Sequence, residues 1–223
     1  MYKIVTKRVL NPTIVEMDIL APEIAAKAKP GEFIILRVDE DGERIPLTIA
    51  GEDLTKGTVK IIFQIVGSTT YKLGQKKEGE SIQDFVGPLG RATELDGLKK
   101  VCIIGGGAGS AIAMPIAQEL HRRGAIVHSI VGFRNKDLVI LEDEFKACSD
   151  ILKIMTDDGS AGEKGLVTNA LESLLNEGNA YDEVIAIGPI VMMKFVAKMC
   201  KEKGIKIVVS MNPIMIDGTG MCG

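Results

Sequence analysis

A glycine-rich stretch offers the first candidate chemistry in the sequence. It reads Ile103-Ile104-Gly105-Gly106-Gly107-Ala108-Gly109-Ser110 and passes from an apolar, strand-like run into a helical pattern. Glycines at such a turn let backbone N–H groups approach a pyrophosphate at the helix N-terminus, where partial positive charge lies. The match to G-x-G-x-x-G is incomplete, because Ser110 stands at the last position, and a turn that simply needs glycine is the alternative interpretation. Strand, turn and helix in this order favour nucleotide binding without naming the nucleotide.

Two more turns follow predicted strands of the same region. Asp157-Asp158-Gly159-Ser160 comes after the third strand and Gly188-Pro189 after the fourth, whereas the second strand ends in Val131-Gly132-Phe133-Arg134 without an acidic residue to hold a ribose. Ligands of open α/β sheets bind at the carboxyl ends of the strands. Together, these turns indicate one nucleotide crevice.

The elements that must position these residues fall into two regions. Up to about Asp96, six short runs separated by turn signals predict an antiparallel β-barrel, with one short helix at Thr69–Gln75. The six runs are Lys3–Leu10, Ile14–Leu20, Glu32–Arg37, Ile45–Ala50, Thr58–Ile65 and Ser81–Val86. From about Leu98, strands alternate with helices and predict a parallel sheet covered on both faces.

Composition excludes several classes of protein. The 223 residues are 46% hydrophobic and 26% charged, with a net charge of −3, which is ordinary globular composition without the basic stripe of a nucleic-acid binder. The apolar runs are too short for a bilayer span, and Met1–Leu10 is too polar for a secretory signal, so we expect a cytoplasmic protein with no nucleic-acid or membrane partner. The four cysteines are far apart in sequence, and Cys102 and Cys200 are expected to be buried thiols.

The order of a β-barrel and an α/β domain, with G-G-G-A-G and later G-P-I-V-M-M, resembles the ferredoxin reductase superfamily. Four barrel motifs are similar to those of the family. They are Arg44-Ile45-Pro46-Leu47-Thr48, Pro30-Gly31-Glu32-Phe33, Ile65-Val66-Gly67-Ser68-Thr69-Thr70 and Gly87-Pro88-Leu89-Gly90. The resemblance implies a ferredoxin reductase-like fold, with an FAD-binding barrel at residues 1–97 and a Rossmann-like NAD(P)-binding domain at residues 98–210.

The resemblance also implies site residues. Arg44 would pair with the FAD diphosphate, and Thr48 is the catalytic candidate, hydrogen-bonding near the reactive flavin nitrogen. Thr69 stands where the family usually has glycine. The implied flavin-binding residues are Arg44, Pro46, Leu47, Thr48, Ile65, Val66, Gly67, Thr69 and Thr70. The implied nucleotide-binding residues are Gly105, Gly106, Gly107, Ala108, Gly109, Arg134, Asp158, Gly188, Pro189 and Met192.

The tail at residues 211–223 resembles the start of an iron–sulfur segment. In the dihydroorotate dehydrogenase electron-transfer subunits this place reads C-G-x-G-x-C-x-x-C, and here it reads Asp217-Gly218-Thr219-Gly220-Met221-Cys222-Gly223. Cys222 takes the place of the second cysteine and Asp217 that of the first, as the resemblance to NADH-dependent ferredoxin:NADP oxidoreductase implies. The sequence ends before two further ligands, so these two residues alone should not hold a [2Fe–2S] cluster. A plain turn with a free thiol is the alternative interpretation.

The function implied is that of an FAD-dependent NAD(P)H oxidoreductase subunit. It would pass electrons between NAD(P)H, FAD and a [2Fe–2S] cluster, to or from a larger oxidoreductase subunit and through it to ferredoxin. Arg134 would meet a ribose or a 2′-phosphate, so this residue does not decide between NADH and NADPH as the nucleotide. The resemblance to NADH-dependent ferredoxin:NADP oxidoreductase favours NAD(H). The alternatives are the dihydroorotate dehydrogenase electron-transfer subunit, against which Asp217 argues, and a non-catalytic nucleotide-binding redox sensor.

Overall fold

The computed structural model describes residues 1–211 and residue 215, so the predicted cluster ligands Asp217 and Cys222 lie outside the described residues. Two compact units contain Met1–Thr93 and Glu94–Met211. An antiparallel sheet fills the first unit and a parallel α/β sheet fills the second, which confirms the predicted fold class.

The first unit is a seven-stranded antiparallel sheet of half-barrel type. Its order is β6-β1-β2-β5-β4-β3-β7. The strands are β1 (Tyr2–Asn11), β2 (Ile14–Leu20), β3 (Phe33–Arg37), β4 (Arg44–Asp53), β5 (Thr58–Gln64), β6 (Ser81–Ile82) and β7 (Asp84–Leu89). Alternate residues of these strands point inwards, as the period of two requires, and pack a core that includes Met17, Ile34, Ile61 and Phe85.

One predicted strand of this unit is wrong. The run predicted as a single strand at Ser81–Val86 forms two strands that pair at opposite ends of the sheet, β6 with β1 and β7 with β3. The chain turns between them at Gln83, whose N–H donates to the carbonyl oxygen of Arg37 at 3.0 Å. The short helix is confirmed as α2 (Ser68–Gln75), and a further helix, α1 (Pro22–Ala25), was not predicted.

The second unit is a parallel sheet in the order β11-β10-β9-β8-β12-β13. Its strands are β8 (Lys100–Gly106), β9 (Ile126–Phe133), β10 (Ile151–Thr156), β11 (Glu163–Lys164), β12 (Glu183–Ile187) and β13 (Ile207–Val209). Its helices are α3 (Gly109–Arg122), α4 (Glu142–Cys148), α5 (Val167–Asn176) and α6 (Ile190–Glu202). The strand order reverses between β8 and β12, and such a switch point is where doubly wound sheets bind ligands.

Two details of this unit were not predicted: the two-residue strand β11 and a 3-10 turn at Lys136–Leu138. Among the described residues, no helix is long and apolar enough to cross a bilayer.

A buried polar pair lies near the amino ends of the parallel strands. The Nδ1 atom of His128 lies 2.8 Å from the hydroxyl oxygen of Tyr181, and the two rings meet edge to face. Burial lowers the pKa of His128; Lys100 lowers it further, whereas Asp150 and Glu177 act in the opposite direction. The folded protein therefore holds this imidazole neutral at pH values where an unfolded chain would protonate it.

This pair predicts a pH dependence of stability. Because the pKa of His128 is lower in the folded state, its contribution is complete above the unfolded pKa of about 6.5 and is lost as the pH falls below it, with a slope of at most about 1.4 kcal/mol per pH unit. In urea unfolding at pH 7.5 and 5.5, His128→Asn, which keeps an acceptor for Tyr181, should lose less stability on acidification than the wild type.

The other histidine supplies the control. His121 is exposed on α3, so His121→Asn should keep the acid sensitivity of the wild type. If His128→Asn and the wild type lose stability equally, the buried imidazole is not the source.

Candidate functional site

The glycine-rich turn after β8 packs directly against the turn after β12. A Cβ on Gly106 would lie 2.9 Å from Cδ of Pro189 and 2.5 Å from Sδ of Met192. A Cβ on Gly188 would lie 3.0 Å from the backbone nitrogen of Gly106. These distances leave no room for side chains, so the structure brings five of the predicted nucleotide-site residues together, the fifth being Gly109, whose Cβ would meet Gly188.

The turn itself uses some of its backbone donors internally. The N–H of Gly107 donates to the carbonyl oxygen of Gly132 at 2.9 Å, and the N–H groups of Ser110 and Ala111 donate back to Gly107 and Ala108 at 3.1 Å. Gly107 has a φ of +55°, and a Cβ there would meet nothing within 4 Å. The turn therefore leaves open space beside Gly107 at the positive end of α3, the environment that a phosphate prefers.

The ends of β9 and β10 carry the other predicted nucleotide residues. Arg134 follows β9 and is exposed, and no ion pair of it is recorded among the described residues. The carboxylate of Asp158 accepts hydrogen bonds from the hydroxyl and the N–H of Ser160, at 2.6 and 2.9 Å, and these bonds lower its pKa. Asp158 thus organises its own loop, whereas Arg134 presents a cation to solvent.

In the first unit, the predicted flavin residues of β4 lie on two opposite faces of the strand. Ile45 and Leu47 pack against the barrel core, so Arg44, Pro46 and Thr48 share the opposite face, since side chains alternate along a strand. The side chain of Leu47 is thus partly buried against the core. Ile65 also packs against the core, whereas its neighbour Val66 is 77% exposed.

The segment Arg44–Thr48 has a strand partner on one side only. It pairs with β3 from Arg37↔Arg44 to Phe33↔Thr48, whereas the pairing of β4 with β5 begins at Ile49. The other backbone edge of the segment is therefore open, which also explains how Pro46 is tolerated within a strand. An open edge beside small side chains suits a flat, polar ring system.

The positive charge of Arg44 is not neutralised by an acidic side chain among the described residues. It stands directly across the sheet from Arg37, and like charges in this position repel. Arg37 is neutralised by Asp84 at 2.7 Å and also donates to the carbonyl oxygen of Glu40 at 3.0 Å. Arg44 is exposed, and among the described residues it has no recorded acidic partner. A diphosphate would supply the missing charge.

The start of α2 presents a second phosphate-type site in this unit. The Thr70 hydroxyl oxygen accepts hydrogen bonds from the N–H groups of Val66 and Gly67 and donates to the carbonyl oxygen of Gly67, each at 3.0 Å. Thr70 therefore shapes the helix start, and its hydroxyl is already engaged. A Cβ on Gly67 would meet nothing within 4 Å, so the approach to the first-turn N–H groups, that of Thr69 included, is open.

The described residues contain no group of three or more His, Cys, Asp or Glu side chains that could hold a metal. Cys102, Cys148 and Cys200 are buried free thiols, and burial raises the pKa of each. Thiols held protonated in this way are poor metal ligands.

One residue was missed in the sequence. The sequence pattern does not show the role of Ser160, whose hydroxyl links Asp158 to Lys136: it donates to Asp158 at 2.6 Å and accepts from the N–H of Lys136 at 2.8 Å. Only the spacing of an Asp and a Ser two residues apart in a glycine-bearing turn signals such a link.

Comparisons with known proteins agree with this arrangement. A scan against models of protein families finds no match. The chain is 44% identical, over 99% of its length and 78% of the relative, to a Thermotoga maritima protein named dihydroorotate dehydrogenase B (NAD(+)), electron transfer subunit homolog. It is 49% identical to an uncharacterized Clostridium beijerinckii protein, covering 100% of this chain and 78% of the relative, and 31% identical to the Streptococcus pneumoniae dihydroorotate dehydrogenase B electron transfer subunit, covering 99% and 85%.

Solved structures extend the likeness. A chain of the NADH-dependent reduced ferredoxin–NADP oxidoreductase, studied for flavin-based electron bifurcation, superposes with a TM-score of 0.93 at 43% identity, covering 100% of this chain and 80% of that one. The ferredoxin reductase of carbazole 1,9a-dioxygenase shares the fold, with a TM-score of 0.79 at 20% identity over 93% of this chain and 67% of that one.

The fold and these relatives define a ferredoxin reductase-like flavoprotein, a class whose members bind FAD and NAD(P)H. Within that class, the chain belongs to the family of the dihydroorotate dehydrogenase electron transfer subunits and their homologues. The predicted function as an electron-transfer oxidoreductase subunit is confirmed at this level.

The turn packing predicts how two glycines differ. A Cβ on Gly109 would lie 2.7 Å from Cα of Gly188 and would also meet the backbone of Ile187, so Gly109→Ala should force α3 away from β12. It should lower the free energy of unfolding by about 3 kcal/mol or more. Gly107→Ala meets open space and should cost only the left-handed backbone penalty of about 1–2 kcal/mol. Urea unfolding of both variants checks the order, and equal losses would contradict the close contact.

Proposed function

We propose that this chain is the electron-transfer subunit of an oxidoreductase of the NADH-dependent ferredoxin:NADP type. It would exchange electrons between a nicotinamide nucleotide and a larger partner subunit through FAD. The observation that carries the proposal is Arg44: it is exposed, shares one strand face with Thr48, and lies across from a cation that is already neutralised. That face provides the charge and the hydroxyl that a flavin dinucleotide requires.

The first unit would bind the flavin along the open edge of β4. Arg44 would pair with the diphosphate, and the first-turn N–H groups of α2, shaped by Thr70, would provide further donors. Arg44 and Thr48 are four residues apart, about 13 Å along a strand, so one end of the face can hold the diphosphate while the other meets the ring. A bound flavin supplies the conversion between two-electron and one-electron transfer.

The second unit would bind the nicotinamide nucleotide at the switch point between β8 and β12. The open space beside Gly107 would accept the pyrophosphate, and Ala108 and Gly109 carry the turn N–H groups that are not used by the bonds within it. Pro189 and Met192 would line the crevice beside Gly106. Arg134, at the end of β9, would meet the adenosine ribose or its 2′-phosphate.

Hydride transfer needs position rather than a proton donor. Thr48 is the residue of the β4 face whose hydroxyl would bond the reactive edge of the flavin ring. A hydroxyl suits this role because it can donate or accept a hydrogen bond.

The [2Fe–2S] cluster and the identity of the partner are the further part of the proposal. Asp217 and Cys222 would contribute two cluster ligands, as the sequence resemblance implies, and ferredoxin would be reached through the larger subunit. A cytoplasmic location belongs to the same proposal, supported by the free thiols of three described cysteines.

Dihydroorotate dehydrogenase is the second candidate, since relatives with that name are 31–34% identical to this chain and the Thermotoga maritima protein named a homologue of that subunit is 44% identical. The structure from the ferredoxin:NADP system is 43% identical and covers the whole chain. Identity therefore does not separate the two candidates, and Asp217 at the position of a cysteine favours the first.

An anaerobic visible spectrum of the purified chain tests the proposal. We expect flavin bands that NADH bleaches, and Arg44→Ala should bind FAD about 10- to 100-fold more weakly, because one charge-assisted contact is lost. Arg44→Lys should retain more FAD than Arg44→Ala. A colourless wild-type protein that stays colourless after FAD is added would refute the flavin site. Bleaching by NADPH alone would overturn the assignment to the NADH-dependent type.

Thr48 provides a separate test of the flavin face. Thr48→Val keeps the shape of the side chain and removes the hydroxyl, so the rate constant for flavin reduction by NADH should fall roughly 5- to 10-fold, whereas Thr48→Ser should stay close to the wild type. Thr6→Val is the matched control, because the Thr6 hydroxyl bonds Asp18 at 2.6 Å on β1, outside the proposed face. Stopped-flow reduction measures all three, and an unchanged rate in Thr48→Val would remove Thr48 from the mechanism.

A further inference from the structure

The segment Arg134–Lys136, here called the cationic segment, lies beside the glycine-rich turn. It follows β9 directly, and both Arg134 and Lys136 are exposed. Two residues earlier, the carbonyl oxygen of Gly132 accepts the N–H of Gly107. At about 3.3 Å per residue, the segment begins about 7 Å along the strand from the proposed pyrophosphate site. The contacts that hold the cationic segment thus decide where Arg134 and Lys136 lie relative to a bound dinucleotide.

The loop after β10, residues 157–165, is anchored by hydrogen bonds to Thr156 at the end of that strand. The Thr156 hydroxyl donates to the carbonyl oxygen of Ala161 at 2.6 Å, and the N–H of Gly165 donates to the carbonyl oxygen of Thr156 at 3.0 Å. Within the loop, β11 pairs in parallel with the end of β10. A loop anchored in this way can act as a support for a neighbouring segment.

The loop is joined to the end of β9 by hydrogen bonds from both sides. The N–H of Asp157 donates to the carbonyl oxygen of Phe133 at 3.1 Å, within the pattern that continues the sheet. Beyond the sheet, the N–H of Lys136 donates to the hydroxyl oxygen of Ser160 at 2.8 Å. The same hydroxyl donates to Oδ1 of Asp158 at 2.6 Å, which fixes its direction. Ser160 is thus the side chain that ties the cationic segment to the loop.

We propose that Ser160 is a positioning residue for the nicotinamide nucleotide, because its hydroxyl holds the cationic segment where Arg134 meets the adenosine end of the dinucleotide. This inference rests on the proposed function. The N–H of Asp158 also donates to the carbonyl oxygen of Arg134, at 3.4 Å, so without the hydroxyl the segment would be tied to the loop by this longer backbone bond. The rest of its ordering would then occur on binding, and that entropy would be subtracted from the binding free energy. Ser160 does not touch the reacting atoms, so the hydride-transfer step itself should not change.

The test compares Ser160→Ala with Ser160→Thr in the flavin-loaded protein. The Kd for NADH is measured by calorimetry on protein whose flavin has been reduced beforehand, so that no hydride is transferred, with NADPH alongside. The rate constant for flavin reduction at saturating NADH is measured by stopped flow on the oxidised protein. Ser160→Ala should raise the Kd about 3- to 10-fold, the effect of one lost hydrogen bond, and leave the saturated rate constant unchanged. Ser160→Thr keeps the hydroxyl and should restore the wild-type Kd.

Ser173→Ala is the matched control. The Ser173 hydroxyl also bonds a carboxylate, Glu177 at 3.0 Å, on the exposed side of α5 and away from the loop. It should leave the Kd at the wild-type value. A wild-type Kd in Ser160→Ala overturns the inference, and so does an equal rise in Ser160→Ala and Ser173→Ala, or a fall in the saturated rate constant without a change in Kd.

The same measurements separate the inference from the proposed function. If NADH binds with a Kd that depends on Ser160 but the flavin is not reduced, the inference stands and the proposed reaction fails. If the flavin is reduced and the Kd does not depend on Ser160, the reaction stands and the inference fails. If the wild type binds neither nucleotide, both are overturned.

Discussion

The contact between the turns that end β8 and β12 is the constraint on which the parallel unit depends. A Cβ on Gly105 would lie 2.7 Å from Cα of Ser110, and Gly106 and Gly109 are equally close to the opposite turn. Backbone meets backbone at the switch point of the sheet, so α3 begins directly beside β12. This close packing places the positive end of α3 and the open space at Gly107 at one point, which is where a pyrophosphate gains most from the helix dipole.

In the antiparallel unit, a single strand, β4, serves both core packing and ligand binding, because its side chains alternate between two faces. Ile45 and Leu47 contribute to the core, and the residues between and beside them form the opposite face. Stability and binding are thus assigned to alternate residues of the same strand. Because β5 pairs only from Ile49 onwards, the strand keeps an open backbone edge at the place where it carries Arg44.

Much of this arrangement can be predicted from the sequence because it is local. Alternating apolar residues, turn signals and the glycine-rich turn identify the two sheets, and carboxyl strand ends of parallel strands must share one edge. The split of Ser81–Val86 could not be predicted, because it depends on hydrogen bonds from Gln83 to β3, which is distant in sequence. The roles of Thr70 and Asp158 could not be predicted from the sequence pattern either. Each side chain is of a type that binds ligands, but each forms hydrogen bonds within its own turn.

The location of the buried pair His128 and Tyr181 bears on the chemistry. Burial lowers the pKa of His128 and raises that of Tyr181, and this pair lies near the amino ends of the parallel strands, with Lys100 at the first position of β8. Gly107, Arg134 and Asp158 follow the carboxyl ends. Enzymes that move protons place such groups beside the substrate. Here the pair lies at the other edge of the sheet. The candidate site holds fixed cations, backbone donors, hydroxyls and the carboxylate of Asp158, whose pKa is lowered by bonds within its own loop. This division is what hydride and electron transfer require, because those reactions depend on the positions of bound cofactors more than on an acid or a base.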